Sequence, residues 1–397
     1  MVAESASAPI VVDSQEEPRD GPDLQMSTTT QADIRPMVVF VAHIGNFGGT
    51  AVSLATLLRK LDRGLGRVLA TPRDQPFGRA MQGEGLVDGV ITLDPTTAPR
   101  ALITGMARLV RWSIPNRRRL LAFHVNGLTD FVLATPAAFL TRRPVVVWAH
   151  HATLERRVTR YAGFAVRMLR RRIRWMAVSR ALADALEEAL RLQPGEVVVI
   201  PNPVDRTTAF ASETSKSDAT RIGFLGDDTI RKGFDLLPEV VRELEGRMRL
   251  LVFTRRHANR RPEVTRAWDD LEALDHTVEI LGRQDDVRTA YAQCDVVICP
   301  SREESFARIV AEAMLNGIPV VASDIPAIRE VMDDGRAGML VPPGNAVAFA
   351  RGLERLEGDP VLRSTLVEAG LDRVRVFEPS RIAEQFATAF AEGRSEV

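Results

Sequence analysis

The feature that most constrains the fold is a series of short runs that are apolar at consecutive positions: "MVVFVAH" from Met37, then "RVLATP", "GVITLD", "LLAFHV", "VVVWAH" and "IRWMAVS". A strand with both faces apolar must be covered on both sides, which is the condition of a parallel sheet wrapped by helices. The intervening segments, such as "GGTAVSLATLLRKLDRG" and "RALADALEEALRL", space their apolar residues as helices do. The pattern therefore predicts an α/β doubly wound domain. A second series, "RIGFLG", "RLLVFT", "VEILG", "DVVICP", "PVVAS" and "GMLVPPG", follows the polar stretch 206–220. Two Rossmann-like domains, 35–205 and 221–378, are expected on either side of a linker at 206–220, with a helical segment, 379–397, that can pack back on the N-terminal domain. A chain of 397 residues, 45% of them apolar, can fill two such cores.

Charge narrows the function classes. The 52 basic and 52 acidic side chains balance, so nothing global points to nucleic acid. The first 33 residues hold seven acids and a single base, Arg19, and read as a disordered acidic leader, 1–34, with Met26 as an alternative start. No apolar run approaches the roughly 18 residues that cross a bilayer, and the only cysteines, Cys294 and Cys299, suit a reducing cytoplasm. From Arg156 to Arg174 there are eight arginines and no acids among Val, Tyr, Phe, Met, Leu and Ile. That segment suits an amphipathic helix on the anionic inner face of the cell membrane, or equally an arginine-rich solvent face over a core-facing stripe. No clustered His/Cys set is present, and the acidic pairs at 227–228, 285–286 and 333–334 sit in turn-like contexts, so no metal is expected. Lys60, Lys216 and Lys232 are the only lysines in a chain whose other basic residues are all arginine.

"ESFARIVAEAM" (304–314) carries two carboxylates, Glu304 and Glu312. Along a helix their spacing spans about 12 Å, too far for an acid/base pair on one bond, which needs roughly 5–9 Å. "DVVICPSREES" reads as a buried strand and loop, with Ser305 as N-cap and the amides of Phe306, Ala307 and Arg308 forming an anion-binding helix N-terminus. Glu304 and Glu312 then lie at the two ends of a surface fit for sugar, diphosphate and ribose; two solvated glutamates are the plain alternative.

The segment 304–345 resembles the donor-binding region of the GT-B-fold retaining glycosyltransferases of family 4. The likeness runs from about Met37 to Phe390 through "GNFGGTAVSLATLL", "PVVVWAHH", "AVSRALADAL", "VIPNPVD", "RKGFDLL" and "VEILGRQDDVRTAYAQCDVVICPS", in the family's order. The resemblance implies a GT-B fold and a metal-independent hexosyltransferase without a cofactor. Such an enzyme moves sugar from UDP- or GDP-hexose to a hydroxyl of a glycan, lipid-linked glycoside or small metabolite. It implies catalytic roles for His150, Lys232 and Glu304: His150 beside the reacting sugar, Lys232 on the leaving diphosphate, Glu304 on sugar hydroxyls. The implied donor-binding set is Gly48, Gly49, Arg231, Lys232, Gly282, Glu304, Ser305, Phe306, Ala307, Arg308, Ile309 and Glu312, with Glu312 on the ribose. His151 is the competitor of His150, and His124 is expected to be structural.

Three departures from the family stand out. Family members commonly carry arginine after the glycine that ends the first C-domain strand; here "FLGDD" places Asp227 and Asp228 there, with Arg231, Arg255 and Arg256 as substitute charges. The glycine pair usual after the next strand is absent. Ala307 stands where glycine is typical. These departures sustain an alternative, a non-catalytic GT-B partner or regulatory protein with a degenerate donor site.

Overall fold

A computed structural model of the chain describes residues 35–392, apart from 44–47, 74, 95–97, 152–155, 206–218, 246, 258–260, 275–276 and 285. The leader 1–34 and most of the linker 206–220 lie outside the described residues. Contacts divide the chain into two compact units, one running to Pro203 and resuming at Phe377, the other comprising Val204–Val376.

The first unit holds strands β1 (Met37–Val41), β2 (Gly66–Pro72), β3 (Gly89–Leu93), β4 (Leu120–Val125), β5 (Val145–Ala149), β6 (Ile173–Ala177) and β7 (Val197–Val199). Between them run α1 (Gly49–Lys60), α2 (Pro76–Gly83), α3 (Pro99–Asn116), α4 (Leu128–Thr141), α5 (Arg156–Leu169) and α6 (Arg180–Leu190). All pairings are parallel, in the order β3-β2-β1-β4-β5-β6-β7. The central strands β1, β2 and β5 are buried at every position, as their unbroken apolar runs require. The strand not anticipated is β7: Val197 is buried, Val198 is 55% exposed and Val199 is half-buried, as befits a sheet edge covered on one side.

The second unit holds β8 (Thr220–Leu225), β9 (Met248–Phe253), β10 (Val278–Ile280), β11 (Val296–Cys299), β12 (Val320–Ser323) and β13 (Met339–Val341). Its helices are α7 (Leu237–Glu243), α8 (Pro262–Glu272), α9 (Val287–Ala292), α10 (Arg308–Leu315), α11 (Pro326–Val331), α12 (Ala346–Gly358) and α13 (Pro360–Arg373). The order is β10-β9-β8-β11-β12-β13, again parallel. Phe224, Phe234 and Trp268 pack ring on ring, with centroids 5.8 and 4.7 Å apart, and anchor the core beneath β8. At the amino edge the Arg221 guanidinium donates twice to Asp295 at 2.9 Å, tying β8 to β11.

The last helix, α14 (Pro379–Glu392), belongs to the first unit. Phe386 and Phe390 surround the fully buried His124 ring with centroids 5.2 and 6.1 Å away. Burial pushes the His124 imidazole down to about 4 against the raising effect of its Asn126 hydrogen bond, so it is a neutral core residue. In both sheets the strand order reverses once, between β1 and β4 and between β8 and β11. Ligands of open parallel sheets bind outside the carboxyl ends at such reversals.

Candidate functional site

In the second unit the β8/β11 reversal brings together the loops that carry Lys232 and Glu304. Lys232 ends a 3-10 turn, Ile230–Lys232, capped by the Thr229 hydroxyl, which accepts from the Lys232 amide at 3.3 Å. Gly233 follows with φ +72°, and a Cβ there would lie 2.1 Å from the Pro300 carbonyl oxygen. Only glycine lets this turn press against the end of β11. The two loops are further laced by Arg302, whose amide donates to Arg231 O at 2.8 Å and whose guanidinium donates to both Asp235 oxygens at 2.7 and 2.9 Å.

Held in this way, Lys232 Nζ donates to Glu304 Oε1 at 2.6 Å, and Ser301 Oγ donates to the same oxygen at 2.8 Å. Both charged side chains are largely buried, 15% and 8% exposed. An ammonium has three donors and this contact uses one, so the pair can present positive charge and a carboxylate to a ligand together. Glu312 lies one turn into α10, where Arg308 Nε donates at 2.6 Å and the buried Tyr291 hydroxyl at 3.0 Å. The two glutamates therefore have separate partners.

The start of α10 differs from expectation. The cap is Ala307, not Ser305, and the helix begins at Arg308, so the amides at its N-terminus are those of Arg308 and Ile309, while Val310 N–H donates to Ala307 O at 3.0 Å. Ser305 and Phe306 lie in the loop before it. Ala307 has φ +58°, the left-handed region that favours glycine. A methyl group there costs on the order of 1–2 kcal/mol. Ala307→Gly is expected to raise stability by about 1 kcal/mol, read as a higher urea midpoint with unchanged slope; a lower midpoint would mean that packing of the buried methyl outweighs the strain.

Asp227 and Asp228 have different fates. Asp227 is exposed, whereas Asp228 is 3% exposed. The Asp228 carboxylate accepts from Trp268 Nε1 at 2.9 Å, from the His257 amide at 3.1 Å, and from His257 Nδ1. Burial alone would raise this carboxyl, but the Trp268 and His257 hydrogen bonds outweigh it and hold it below the usual range. Asp228 is thus a buried acceptor that binds the end of β9 to the end of β8. Arg256 is committed elsewhere: its guanidinium lies 4.9 Å from the Trp268 ring centroid and pairs with Glu272 at 2.8 Å. Arg231 donates to Glu303 O at 3.3 Å. Gly282, with φ +69°, follows β10, two strands from the reversal.

In the first unit Gly48 caps α1, and among the described residues a Cβ on it would meet no atom within 4 Å. Crowding among the described residues is therefore not what calls for glycine there. His150 directly follows β5, buried, with its ring 4.3 Å from Trp148, which donates to Ile200 O at 3.0 Å. His151 is exposed and its Nε2 lies 3.2 Å from Thr50 Oγ1 in the first turn of α1. At the β1/β4 reversal sits a carboxylate the sequence did not flag, Asp130. It accepts the His43 amide at 3.0 Å, and burial pushes it up to about 7 against the opposing His43 and Asn126 amides. Nothing in "NGLTDFVLA" marks that aspartate as buried. Among the described residues no three His, Cys, Asp or Glu side chains cluster as metal ligands, and no helix is long and apolar enough to cross a membrane.

Residues 47–208 match the family described as Glycosyltransferase Family 4, and residues 219–359 match Glycosyl transferases group 1. The phosphatidyl-myo-inositol mannosyltransferase of Mycobacterium tuberculosis is 33% identical over 276 residues, covering 65% of this chain and 70% of that protein. The chain belongs to the family 4 glycosyltransferases. The Mycobacterium leprae protein of the same name is 34% identical over 207 residues, and there the match spans only 53% of the relative's length and 49% of this chain. Among solved structures, Anabaena HepE in complex with UDP and glucose superposes with a TM-score of 0.75 at 20% identity, over 90% of this chain and 100% of that one. A Rickettsia africae glycosyltransferase does so at 0.75 and 18%, over 91% and 100%. These structural likenesses place the glycosyltransferase in the GT-B fold.

Proposed function

We propose that this glycosyltransferase moves a hexose from a nucleotide diphosphate sugar to a hydroxyl acceptor with retention at the anomeric carbon. The observation that carries the reading is the Lys232–Glu304 contact, braced by Ser301, at the reversal of the donor-side sheet. As the glycosidic bond to the diphosphate breaks, negative charge grows on the leaving phosphate, and a pre-positioned ammonium stabilises it at no cost of reorganisation. Glu304 accepts hydroxyls of the departing sugar and Glu312 those of the ribose, each oxygen able to take two donors. The α10 amides of Arg308 and Ile309 add dipolar stabilisation of the diphosphate.

The names of the relatives support a polyol or glycolipid acceptor, and the HepE complex supports a uridine diphosphate donor. The segment 156–174 supports docking on an anionic membrane surface: in its described part Phe164 is 60% exposed with Arg167 exposed beside it.

A panel of UDP, GDP and ADP tests the reading by thermal shift. One of them should raise the melting temperature in proportion to the logarithm of its concentration, worth about 2.7 kcal/mol at one hundred times its Kd. The corresponding sugar nucleotides should then release that nucleotide during slow hydrolysis. A protein that binds a nucleotide yet never turns over any donor would be the non-catalytic GT-B protein, a reading that the exposed Asp227 favours.

A further inference from the structure

The sheet order β1-β4-β5-β6 sets the starts of these four strands side by side at the amino edge of the first unit. Three of the starts are preceded by arginines: Arg117, Arg118 and Arg119 before β4, Arg142 before β5, Arg171 and Arg172 before β6. The segments 114–120, 140–146 and 169–175 contain no acid. Among the described residues none of these six arginines pairs with a carboxylate. The bonds at this edge run to carbonyls instead, Arg119 Nε to Arg35 O at 3.4 Å and the Arg143 guanidinium to Arg117 O at 2.7 Å. Arg117, Arg118, Arg142 and Arg171 are exposed. Helices α3, α4 and α5 also end here, but each helix C-terminus amounts to about half a negative charge, which one cation answers. The clusters hold more positive charge than the helix ends call for, and the exposed Ile114, Phe139 and Leu140 lie at the ends of α3 and α4 beside them.

We propose that this arginine edge is the docking surface of the chain's own acidic leader, 1–34. The leader lies outside the described residues and joins the fold at Arg35, two residues before β1, where Met37 N–H donates to Arg119 O at 2.9 Å. It is therefore tethered at the edge itself. "APIVVDSQEEPRDGPD" (8–23) carries Asp13, Glu16, Glu17, Asp20 and Asp23 against one base, Arg19, and sets Ile10, Val11 and Val12 just before them. The five carboxylates answer the arginines, and the apolar triplet answers Ile114, Phe139 and Leu140. Neighbouring strands lie about 4.8 Å apart, so crossing from β1 to β6 takes roughly 15 Å. The chain between Asp23 and Arg35 can span about 40 Å, so reach does not limit the contact. Tethering gives a weak, multivalent charge contact an effective concentration of about the millimolar range, an advantage that no free anionic surface has. A leader docked there screens the edge, including Arg171 and Arg172 of the segment 156–174, from anionic membranes.

The test places nitroxide labels in the full chain at Ser14→Cys, in the leader, and at Gln193→Cys, an exposed residue before β7 at the same edge. Cys294 and Cys299 are buried, which leaves the two introduced thiols as the accessible ones. Pulsed electron-spin distance measurement should find a short-distance population at low salt that is lost in about 1 M sodium chloride, where the Debye length is roughly 3 Å. Replacing the five leader acids by their amides should abolish that population, as should the combined change Arg117→Gln, Arg118→Gln, Arg142→Gln and Arg171→Gln. The leader variant changes no residue of the described fold, so the test stands even if the arginine variant fails to fold. Vesicles of equal parts phosphatidylglycerol and phosphatidylcholine read the same contact by competition: the leader variant should bind them about tenfold more tightly than wild type. A distance distribution indifferent to salt and to the leader substitutions would overturn the proposal. So would equal vesicle binding by wild type and the leader variant, which would make the edge a membrane surface that the leader never covers.

Discussion

Lys232→Ala is expected to lower the rate of sugar transfer by about 10²–10³-fold, the usual loss when a pre-positioned charge stabiliser of a leaving anion is removed. The effect should fall mainly on kcat, because charge on the diphosphate is greatest as it departs. Lys232→Arg should recover part of it, since a guanidinium keeps the charge but cannot fit the single-point contact that Lys232 makes with Glu304 Oε1. The deletion also strands a carboxylate that is only 8% exposed, leaving Ser301 as its hydrogen-bond partner at 2.8 Å. Some loss of stability should accompany the loss of rate. The informative control is Glu304→Gln, which keeps an oxygen facing Lys232. Transfer by Lys232→Ala within tenfold of wild type would take Lys232 out of the mechanism.

Gly233→Ala is the largest structural effect expected of any single methyl group at this site. The new Cβ would meet the Pro300 carbonyl oxygen at 2.1 Å and its carbon at 2.7 Å, and the residue would be held at φ +72°. Backbone cannot give way as a flexible side chain can, so strain and displacement together should cost about 3 kcal/mol or more. The methyl group would push the 3-10 turn of Lys232 off the end of β11, so the stability loss should come with loss of nucleotide binding. Gly48→Ala is the counter-case, because no atom of the described residues lies within 4 Å of its Cβ. Denaturant midpoints of the two variants measured side by side would separate a glycine needed by the fold from one the fold does not need.

Much of this molecule is legible in the sequence because its determinants are local. Consecutive apolar residues in "MVVFV" and "VVVWA" are enough to predict buried parallel strands, and both runs are buried throughout. Capping was less legible. Ser305 is a good N-cap by residue type, yet the chain needs two more residues to turn from β11 into α10, and the cap falls on Ala307 in a left-handed conformation. Residue preference chooses among nearby caps only where the tertiary path leaves the choice open.

Asp228 shows the other limit. In "FLGDD" two adjacent carboxylates look alike. Their difference depends on Trp268 and His257, 40 and 29 residues away, which only the packing of α8 and β9 brings to one of them. Asp130 is similar, an ordinary acid in sequence and a deeply buried one in the fold. The sequence by itself determined two parallel α/β folds and the family's motifs, because apolar periodicity and motif order are written along the chain. The tertiary structure alone decided which aspartate is buried, which residue caps α10, and that Lys232 touches Glu304. Those depend on contacts between strands that the chain order separates, and no local pattern encodes them.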